Sequence, residues 1–296
     1  MKAVMIMYCN ICPRKCGIDR GEKNGVCGVK DTFKVARAAK HFWEEPPVSG
    51  TEGSGTVFFS GCNLKCVYCQ NYEISHRAYG KEISDERLME IFDELIANGA
   101  HNINLVNPTH YAERLAAVLQ KYKSTVPVVY NSSGYERVET LEKLEGLVDI
   151  YLPDFKYIDN ERSGKYSKAP DYPEAVAKAI KEMKRQQNKD VFDEKGIMQK
   201  GVIIRHLVLP KNTNQSLKII SFIKDNFGED TYLSLMAQYT PCGEISDFPE
   251  LQRRIRKREY EKVVLFAEEE GFSNLFLQQL NSSDEEFIPP FDLTGV

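Results

Sequence analysis

The sequence lacks an apolar run long enough to cross a membrane, because its uninterrupted hydrophobic stretches fall well short of the ~18 residues that a spanning helix needs. It also lacks an excess of either charge: 39 Lys and Arg against 43 Asp and Glu give a net charge of −4 and a pI of about 5.9. Non-specific binding to nucleic acid depends on accumulated positive charge, so this balance argues against a polyanion-binding protein. We therefore expect neither a membrane nor a nucleic acid as its partner.

A secretory signal is missing as well. Residues 1–8 are largely apolar, but they are too few and lack the small-residue cleavage site of a signal peptide. The expected location is therefore the cytoplasm, where thiols stay reduced. In that compartment cysteines are better interpreted as metal ligands or reactive groups than as disulfide partners.

Cysteines are almost absent beyond the first quarter of the chain: seven of the eight lie within the first 69 residues, and Cys242 stands alone. A disulfide framework would spread its bridges through the whole fold. The seven instead form two groups, which predict two metal sites: Cys9, Cys12, Cys16 and Cys27, then Cys62, Cys66 and Cys69.

Apolar and helical patterns alternate along the rest of the chain, which is typical of β/α units around a parallel sheet. A Pro- and Gly-rich passage at 45–55 is interpreted as a linker. The predicted strands are 32–38, 57–60, 102–106, 127–131, 148–152, 202–209, 231–237 and a short one at 274–277. The predicted helices are 84–98, with Ser84 as N-cap and Gly99 after its end, 111–121, 172–187, 214–226 and 251–270.

Periodicity alone allows either a doubly wound sheet or an incomplete barrel. Polar residues cluster just beyond the strand ends, as expected where the loops of a barrel converge on one face. We therefore predict an α/β fold, a partial (β/α)6 barrel with a small N-terminal Cys-rich metal-binding module. The predicted division is 1–50 for the module, 51–280 for the barrel and 281–296 for a tail packed on it.

The three-cysteine loop follows the first barrel strand, with three residues between Cys62 and Cys66 and two between Cys66 and Cys69. Such spacing lets one short loop wrap a metal site. Thiolates favour Zn, Cu(I) or iron–sulfur clusters, and three thiolates on a four-iron cluster leave one iron open. The alternative is a zinc site that takes its fourth ligand from Cys242 or a His.

Tyr68, directly before Cys69, completes a pattern that resembles the signature of the radical S-adenosylmethionine (SAM) superfamily. The resemblance covers about residues 56–277. It implies that Cys62, Cys66 and Cys69 hold a 4Fe–4S cluster whose open iron chelates SAM. One electron would then cleave SAM to methionine and a 5′-deoxyadenosyl radical, which abstracts a substrate hydrogen while the protein positions and shields it.

Within the superfamily the chain resembles pyruvate formate-lyase activating enzyme and its relatives with extra N-terminal cysteines. Asp154 and Lys156 match the Asp-x-Lys pair that holds the polar end of SAM, although an ordinary ion pair is the alternative. His206 could equally be a core histidine. The cofactor-binding residues that this resemblance implies are Asn107, Thr109, Asn131, Ser132, Asp154, Lys156, Arg205, His206 and Gln238.

One motif departs from the activating enzymes. They carry Gly-Gly-Glu after the second strand, where the amino group of SAM binds, whereas this chain has Asn107-Pro108-Thr109-His110. The Asn107 backbone carbonyl and the Thr109 hydroxyl could accept that ammonium. His110 is the candidate catalytic acid, base or hydrogen-bond donor, and polar packing is its alternative.

The N-terminal cysteines form a compact set of four ligands that ends in Cys27-Gly28. Zinc knuckles usually pair two C-x-x-C hooks, and a single hook is present here, so we favour an iron–sulfur cluster over zinc. Four protein ligands would close this site to substrate. Cys242, beyond the 231–237 strand, is either a buried thiol or a residue of the active face.

These features predict a radical SAM enzyme that abstracts hydrogen from an unknown substrate, with activation of a glycyl-radical enzyme as the specific hypothesis. Flavodoxin or ferredoxin is the expected electron donor. The charges of residues 253–258, placed at the start of the last helix, fan round it and favour a solvated surface, and a docking patch for the acidic electron donor is the second interpretation. The rival interpretation is a non-enzymatic zinc-binding adaptor that uses both cysteine groups structurally.

Overall fold

The computed structural model describes residues 8–278 and 289–296. Most of the N-terminal apolar stretch, residues 1–7, and the beginning of the predicted tail, within 279–288, therefore lie outside the described residues.

One extended sheet organises the described chain. Its strands are β1 (Lys34–His41), β2 (Ser54–Phe59), β3 (Lys81–Glu82), β4 (Ile103–Val106), β5 (Val128–Ser132), β6 (Ile150–Pro153), β7 (Val191–Phe192), β8 (Met198–Leu207), β9 (Tyr232–Met236) and β10 (Leu275–Leu277). The strand order is β10-β9-β8-β6-β5-β4-β2-β1-β3, with β7 beside β8. All strands from β10 to β2 along this order are parallel, whereas β1, β3 and β7 pair antiparallel with their neighbours. The predicted partial barrel is confirmed.

The helices that alternate with the strands are α1 (Pro46–Ser49), α2 (Tyr72–Ser75), α3 (Asp85–Ala97), α4 (Ala112–Lys121), α5 (Val138–Leu141), α6 (Asn160–Ser167), α7 (Tyr172–Gln186), α8 (Thr213–Phe227) and α9 (Lys257–Glu269). Ser84 caps α3 by accepting the amide of Arg87 at 3.1 Å, and Gly99 follows with φ +80°, as the sequence predicts. No helix in the described part of the chain is long and apolar enough to span a membrane.

Successive side chains of the parallel strands alternate between two environments. Val57 and Leu105 pack outward, in one core cluster with Leu88 of α3 and Leu115 of α4. The residues between them face the barrel interior, which is apolar near Val48 and Leu152. Buried polar residues also occupy it, among them Thr56, Asn104, Asn131 and Ser234. This polar interior underlies the site described below.

Two expectations from the sequence are wrong. The passage at 45–55 is not a linker, since α1 lies within it, Val48 is fully buried and β2 begins at Ser54. The last helix begins at Lys257 rather than 251, because Glu259 accepts the Arg256 amide at 2.9 Å and pairs with the Arg253 guanidinium at 2.7 Å. Residues 253–256 therefore precede α9 instead of forming its first turns.

The two ends of the predicted domain division both contact β1. β1 pairs with β2 across the predicted boundary at residue 50. Residues 289–296 lie along the same strand, where Ala38 donates to the carbonyl of Thr294 at 2.8 Å and Arg37 pairs with Asp292 at 2.7 Å. The division into three domains stays a prediction.

Candidate active site

A cavity of about 220 Å³ opens at the carboxyl ends of the parallel strands. Three thiols, those of Cys62, Cys66 and Cys69, line one wall. Four charged side chains line the same cavity: Glu44, Asp154, Lys156 and Arg205. Parallel strands bring these residues together because their carboxyl ends meet at one edge of the sheet.

The three-cysteine loop, residues 61–69, begins with a turn that only glycine fits. Gly61 has φ +88°, and a Cβ there would lie 2.8 Å from the Val29 side chain and 2.9 Å from the Cys27 carbonyl. The amide of Cys62 donates to that same Cys27 carbonyl at 3.0 Å. The N-terminal cysteine segment is therefore in direct contact with the loop.

Hydrogen-bond donors point at each sulfur of the loop. The Leu64 amide lies 3.4 Å from the Cys62 Sγ, the Ser167 hydroxyl 3.1 Å from the Cys66 Sγ, and the Ser75 hydroxyl 3.3 Å from the Cys69 Sγ. Such donors stabilise thiolates, which are the form that binds metal. This donor set fits three thiolate ligands of a cluster.

Burial opposes the charged form of these thiols when no metal is present. It raises the pKa of Cys69 to about 12 and also raises the pKa of Cys66, against which Lys156 acts. Cationic iron would offset this penalty. In residues 8–278 and 289–296 no three His, Cys, Asp or Glu side chains converge as ligands of one ion. In an iron–sulfur cluster each thiolate binds a different iron.

A buried network of ion pairs lines the same cavity as the thiols. Asp154 accepts from Lys156 at 2.6 Å and from the Arg205 Nε at 3.0 Å, and Arg205 also donates to the Asn131 side chain at 2.6 Å. Burial alone would raise the pKa of Asp154, but Arg205 and Lys156 outweigh it and hold that pKa below its usual range. The network therefore presents Lys156 and Arg205 as oriented cations.

Two acids at the floor of the cavity escaped the sequence analysis. Glu44 accepts from Arg205 at 3.0 Å and from the side-chain amides of Asn104 and Asn131 at 3.0 and 3.1 Å. Glu45 is 7% exposed, its Oε2 has no hydrogen-bond partner, and burial raises its pKa. Glu45 begins the passage that was interpreted as a linker and Glu44 directly precedes it, so no local pattern indicated their burial.

Seven of the predicted cofactor-binding residues line the cavity: Asn107, Asn131, Ser132, Asp154, Lys156, Arg205 and Gln238. Asn107 follows β4 in the left-handed region, with φ +50°, and its buried Oδ1 has no partner. A non-glycine residue held in this strained region often marks a functional position.

Three other predicted residues are absent from the described lining of this cavity. The Thr109 hydroxyl donates to Glu136 at 2.5 Å. The Nε2 of His110 lies 2.8 Å from the Ser60 carbonyl, and His206 lies between the Phe155 carbonyl and the Ser216 hydroxyl at 2.7 and 2.8 Å. Burial lowers the pKa of His110 to about 3 and of His206 to about 4, so both are neutral near pH 7. The expected placement of His110 facing the substrate is therefore not found, because β2 and the N-terminal segment enclose its ring.

The N-terminal cysteines form a tightly wound segment. The Cys9 amide donates to the Ile18 carbonyl at 2.8 Å. The Val26 amide lies 3.4 Å from the Cys16 Sγ. Burial raises the pKa of Cys12 to about 12, and the thiols of Cys16 and Cys9 add to the effect. None of the eight cysteines, all within the described residues, forms a disulfide.

Cys242 contacts the outer side of the three-cysteine loop. Its Sγ lies 3.5 Å from the Tyr68 carbonyl, and the Glu244 amide donates to the Val67 carbonyl at 2.8 Å. Burial raises the pKa of this thiol. In the described structure Cys242 supports the backbone of the loop and is not part of the cavity lining.

Comparison with known proteins gives relatives along most of the chain. An uncharacterised protein of Methanocaldococcus jannaschii is 31% identical over 269 residues, which cover 88% of this chain and 74% of that protein. The 7-carboxy-7-deazaguanine synthase of Methanothermobacter thermautotrophicus is 30% identical over 112 residues, or 36% of this chain and 45% of the synthase.

Solved structures with the same fold are more distant in sequence. Streptococcus suis SuiB bound to S-adenosylmethionine matches with a TM-score of 0.50 at 15% identity, over 76% of this chain and 50% of SuiB. The FeFe-hydrogenase maturase HydG from Carboxydothermus hydrogenoformans matches with a TM-score of 0.51 at 14% identity, over 79% of this chain and 56% of HydG. This chain therefore spans about half the length of those structures.

The sequence model of the radical SAM superfamily matches residues 56–223, more than half of the 296 residues. The match covers the three-cysteine loop and the strands that carry Asp154 and Arg205. Enzymes of this superfamily perform radical chemistry with a 4Fe–4S cluster and SAM. On this match, the chain belongs to the radical SAM superfamily.

Proposed function

We propose that this chain cleaves SAM reductively and uses the resulting radical to remove a hydrogen atom from a substrate. The observation that carries the proposal is the shared cavity: the three thiols of the loop line the same cavity as the buried Asp154, Lys156 and Arg205 network. Ligands for a cluster and for the polar end of SAM thus meet at one place.

The thiolates of Cys62, Cys66 and Cys69 would hold the cluster. With three protein ligands on four irons, one iron stays open to SAM. When bound, the cluster and SAM supply the electron and the 5′-deoxyadenosyl radical. Donors from Leu64, Ser75 and Ser167 orient the ligands, and such supporting hydrogen bonds tune a metal site.

Lys156 and Arg205 would bind the carboxylate of SAM, while Asp154 keeps both cations oriented. The unpartnered Oδ1 of Asn107 is a suitable acceptor for the SAM ammonium, in place of the missing Gly-Gly-Glu. Asn131, Ser132 and Gln238 complete the polar wall. The roles proposed for Thr109 and His206 become supporting ones, through Glu136 and Ser216, and His110 becomes a packing residue beside Ser60.

Apolar side chains also line the cavity, among them Phe58, Val106, Leu207 and Met236. They offer few polar groups to bind water. Exclusion of water protects a reactive intermediate from side reactions. This lining is consistent with the shielding that a carbon radical requires.

The N-terminal cysteines Cys9, Cys12, Cys16 and Cys27 would hold a second metal centre, an iron–sulfur cluster in preference to zinc. Three of these side chains are buried and the fourth is half-buried. Four protein ligands would saturate the metal, so this centre would not bind substrate.

The finer form of the proposal is activation of a glycyl-radical enzyme, with flavodoxin or ferredoxin as electron donor. The Asp154-x-Lys156 pair supports it by resemblance, and the replaced Gly-Gly-Glu motif weighs against it. A protein substrate is compatible with this fold, because SuiB, at a TM-score of 0.51 and 15% identity, has been solved with its precursor peptide.

Anaerobic reconstitution tests the proposed function. The protein should be brown, contain iron and sulfide, and convert SAM to 5′-deoxyadenosine after reduction with dithionite. A colourless protein with stoichiometric zinc at both cysteine groups and no SAM cleavage would instead support the adaptor alternative.

Incubation with pyruvate formate-lyase tests the finer form. A glycyl radical carries one α-hydrogen, so activation would give a doublet in the electron paramagnetic resonance (EPR) spectrum of that partner. SAM cleavage without this doublet would contradict activation of pyruvate formate-lyase and leave the radical SAM assignment intact.

A further inference from the structure

One arginine of the N-terminal cysteine segment reaches into the three-cysteine loop. Arg14 lies between Cys12 and Cys16 in the sequence. Its Nε donates to the Asn63 carbonyl at 2.8 Å, and its Nη2 donates to the carbonyls of Leu64 at 3.3 Å and Ser167 at 2.7 Å. Its Nη1 donates to the Lys168 carbonyl.

These four acceptors flank Cys66 on two sides. Asn63 and Leu64 lead into Cys66 along the loop, and Ser167 donates its hydroxyl to the Cys66 Sγ at 3.1 Å. The Val67 amide also donates to the Tyr166 carbonyl at 2.9 Å. A single guanidinium thus joins the loop to the end of α6, which supplies the donor to its central sulfur.

Two residues at the Arg14 contacts adopt a strained backbone, one beside an acceptor and one itself an acceptor. Lys65, after Leu64, has φ +51°, and Lys168 has φ +50°. Non-glycine residues stay in this region only where the surrounding structure enforces it. Arg14 provides part of that enforcement at both places.

Arginine suits this position better than lysine would. Its planar fork donates several hydrogen bonds in fixed directions, and its carbon Cζ lies 5.3 Å from the centre of the Tyr135 ring. A lysine ammonium would keep the charge but could not reach carbonyls on both the loop and α6 in the same geometry.

The position of Arg14 in turn depends on the cysteines beside it. The Lys15 amide donates to the Cys12 carbonyl at 3.0 Å, and the Gly17 amide donates to the Cys9 carbonyl at 2.9 Å. A metal bound by Cys12 and Cys16 would hold both ends of this turn. Loading of the N-terminal site would therefore order the residue that contacts the loop.

We propose that Arg14 is a positioning residue that couples the N-terminal cysteine site to the geometry of the catalytic three-cysteine loop. The proposal rests on the proposed function, in which that loop holds the cluster. It adds that the N-terminal site acts on catalysis through hydrogen bonds to the loop backbone, without contact with substrate.

The test compares parent protein with Arg14→Lys and Arg14→Ala. Arg87→Ala is the matched control, since Arg87 on the exposed side of α3 also makes several hydrogen bonds, to Glu90, Glu94 and the Gly295 carbonyl. Three quantities are measured: amide hydrogen exchange in residues 62–69, the midpoint potential of the loop cluster with its EPR response to SAM, and the kcat and KM of SAM cleavage.

The amide hydrogens of the loop should exchange faster in both Arg14 variants. Local opening of the loop is then easier, because it no longer has to break the hydrogen bonds that Arg14 makes. The cluster potential and its response to SAM should shift, and kcat should fall about 10–100-fold, as is usual when a residue supporting metal ligands is lost. Arg87→Ala should match the parent. Removing the N-terminal metal from the parent should reproduce the faster exchange.

Parental exchange, potential and kcat in folded Arg14→Lys would overturn the proposal, and so would equal changes in Arg87→Ala. If Arg14→Ala does not fold, Arg14→Lys decides. Absence of SAM cleavage in the parent would contradict the proposed function instead, and the exchange data would still decide the role of Arg14.

Discussion

The two cysteine groups lie side by side, joined by the hydrogen bond of 3.0 Å between the Cys62 amide and the Cys27 carbonyl, yet they differ in their surroundings. The three-cysteine loop faces a cavity, and donors from Ser75 and Ser167 point at its sulfurs. The N-terminal group is wound closely on its own backbone, and its members are absent from the described cavity lining. Ligand number agrees with this contrast, since three thiolates leave a metal position open and four close it.

The comparison teaches that thiol burial alone does not distinguish an open centre from a closed one. Burial raises the pKa of Cys69 and of Cys12 alike, to about 12. The difference lies in the charged network, which lines the same cavity as the three-cysteine loop, whereas the N-terminal cysteines are absent from the described lining of that cavity. The predictions that follow therefore change one region at a time.

Cys66→Ala should have the largest effect. It removes the central ligand of the open site, so SAM cleavage should fall to background while the barrel stays folded, and Cys62→Ala and Cys69→Ala should behave in the same way. The measurement is 5′-deoxyadenosine after dithionite reduction, beside iron content and circular dichroism.

Cys242→Ala is the matched control, because this thiol lies against the same loop but outside the cavity lining. It should retain cleavage. Parental activity in any one of the three loop variants would show that the loop is not the cluster site.

Lys156→Met should have the next largest effect. Methionine keeps the packing of the stem but loses the charge that would bind the SAM carboxylate. Loss of a buried charged hydrogen bond costs about 1.5–3 kcal/mol, which corresponds to roughly 10–100-fold weaker SAM binding. Calorimetry of SAM binding to the cluster-loaded protein measures this loss of affinity.

The control is Lys178→Met, which removes an exposed ammonium paired with Glu174 at 2.6 Å. Its affinity for SAM should equal that of the parent, because exposed pairs contribute little. Equal affinity in Lys156→Met as well would reduce the pair with Asp154 to a structural ion pair.

Cys12→Ala should have a smaller effect on catalysis. The variant should lose one metal complement and some stability, because a structural metal contributes folding free energy. SAM should still perturb the EPR signal of the loop cluster, and cleavage should continue, slowed no more than in Arg14→Ala. Complete loss of cleavage in a protein that keeps the loop cluster and binds SAM would make the N-terminal site part of the catalytic machinery.

Low pH should lower the stability of the barrel region through protonation of His206. Residues 8–33, around the N-terminal group, contain no histidine. Burial lowers the pKa of His206 to about 4, below the value of about 6.5 in an unfolded chain. The unfolded chain therefore takes up the proton first, and the stability that neutral His206 provides above about pH 6.5 is lost as the pH falls through 4.

His206→Gln should reduce this loss and leave cleavage at neutral pH nearly unchanged, because the amide can still contact Phe155 and Ser216. Urea unfolding midpoints at pH 7 and 4.5 measure the effect. If His206→Gln keeps the parental pH dependence, the acid sensitivity lies elsewhere, for example at the half-buried His41 or the buried His110.

The sequence predicted the features that neighbouring residues encode. Helices and strands follow from periodic burial within short segments, and Ser84 and Gly99 mark the ends of α3 by local chemistry. The three-cysteine spacing is a local feature too, because one loop carries all three ligands. The clustering of Asp154 and Arg205 was predictable for a related reason, since parallel strands align their carboxyl ends.

Only the tertiary structure decided the contacts between distant segments. Glu44 lies in a passage without periodicity, and it becomes a partner of Arg205, 161 residues away, because β1 and α1 bring it beneath the cavity. His110 follows a strand end but turns toward the Ser60 carbonyl, and Arg14 crosses from one cysteine group to the other. Such contacts depend on how strands and loops are placed in space, and spacing along the chain does not contain that information.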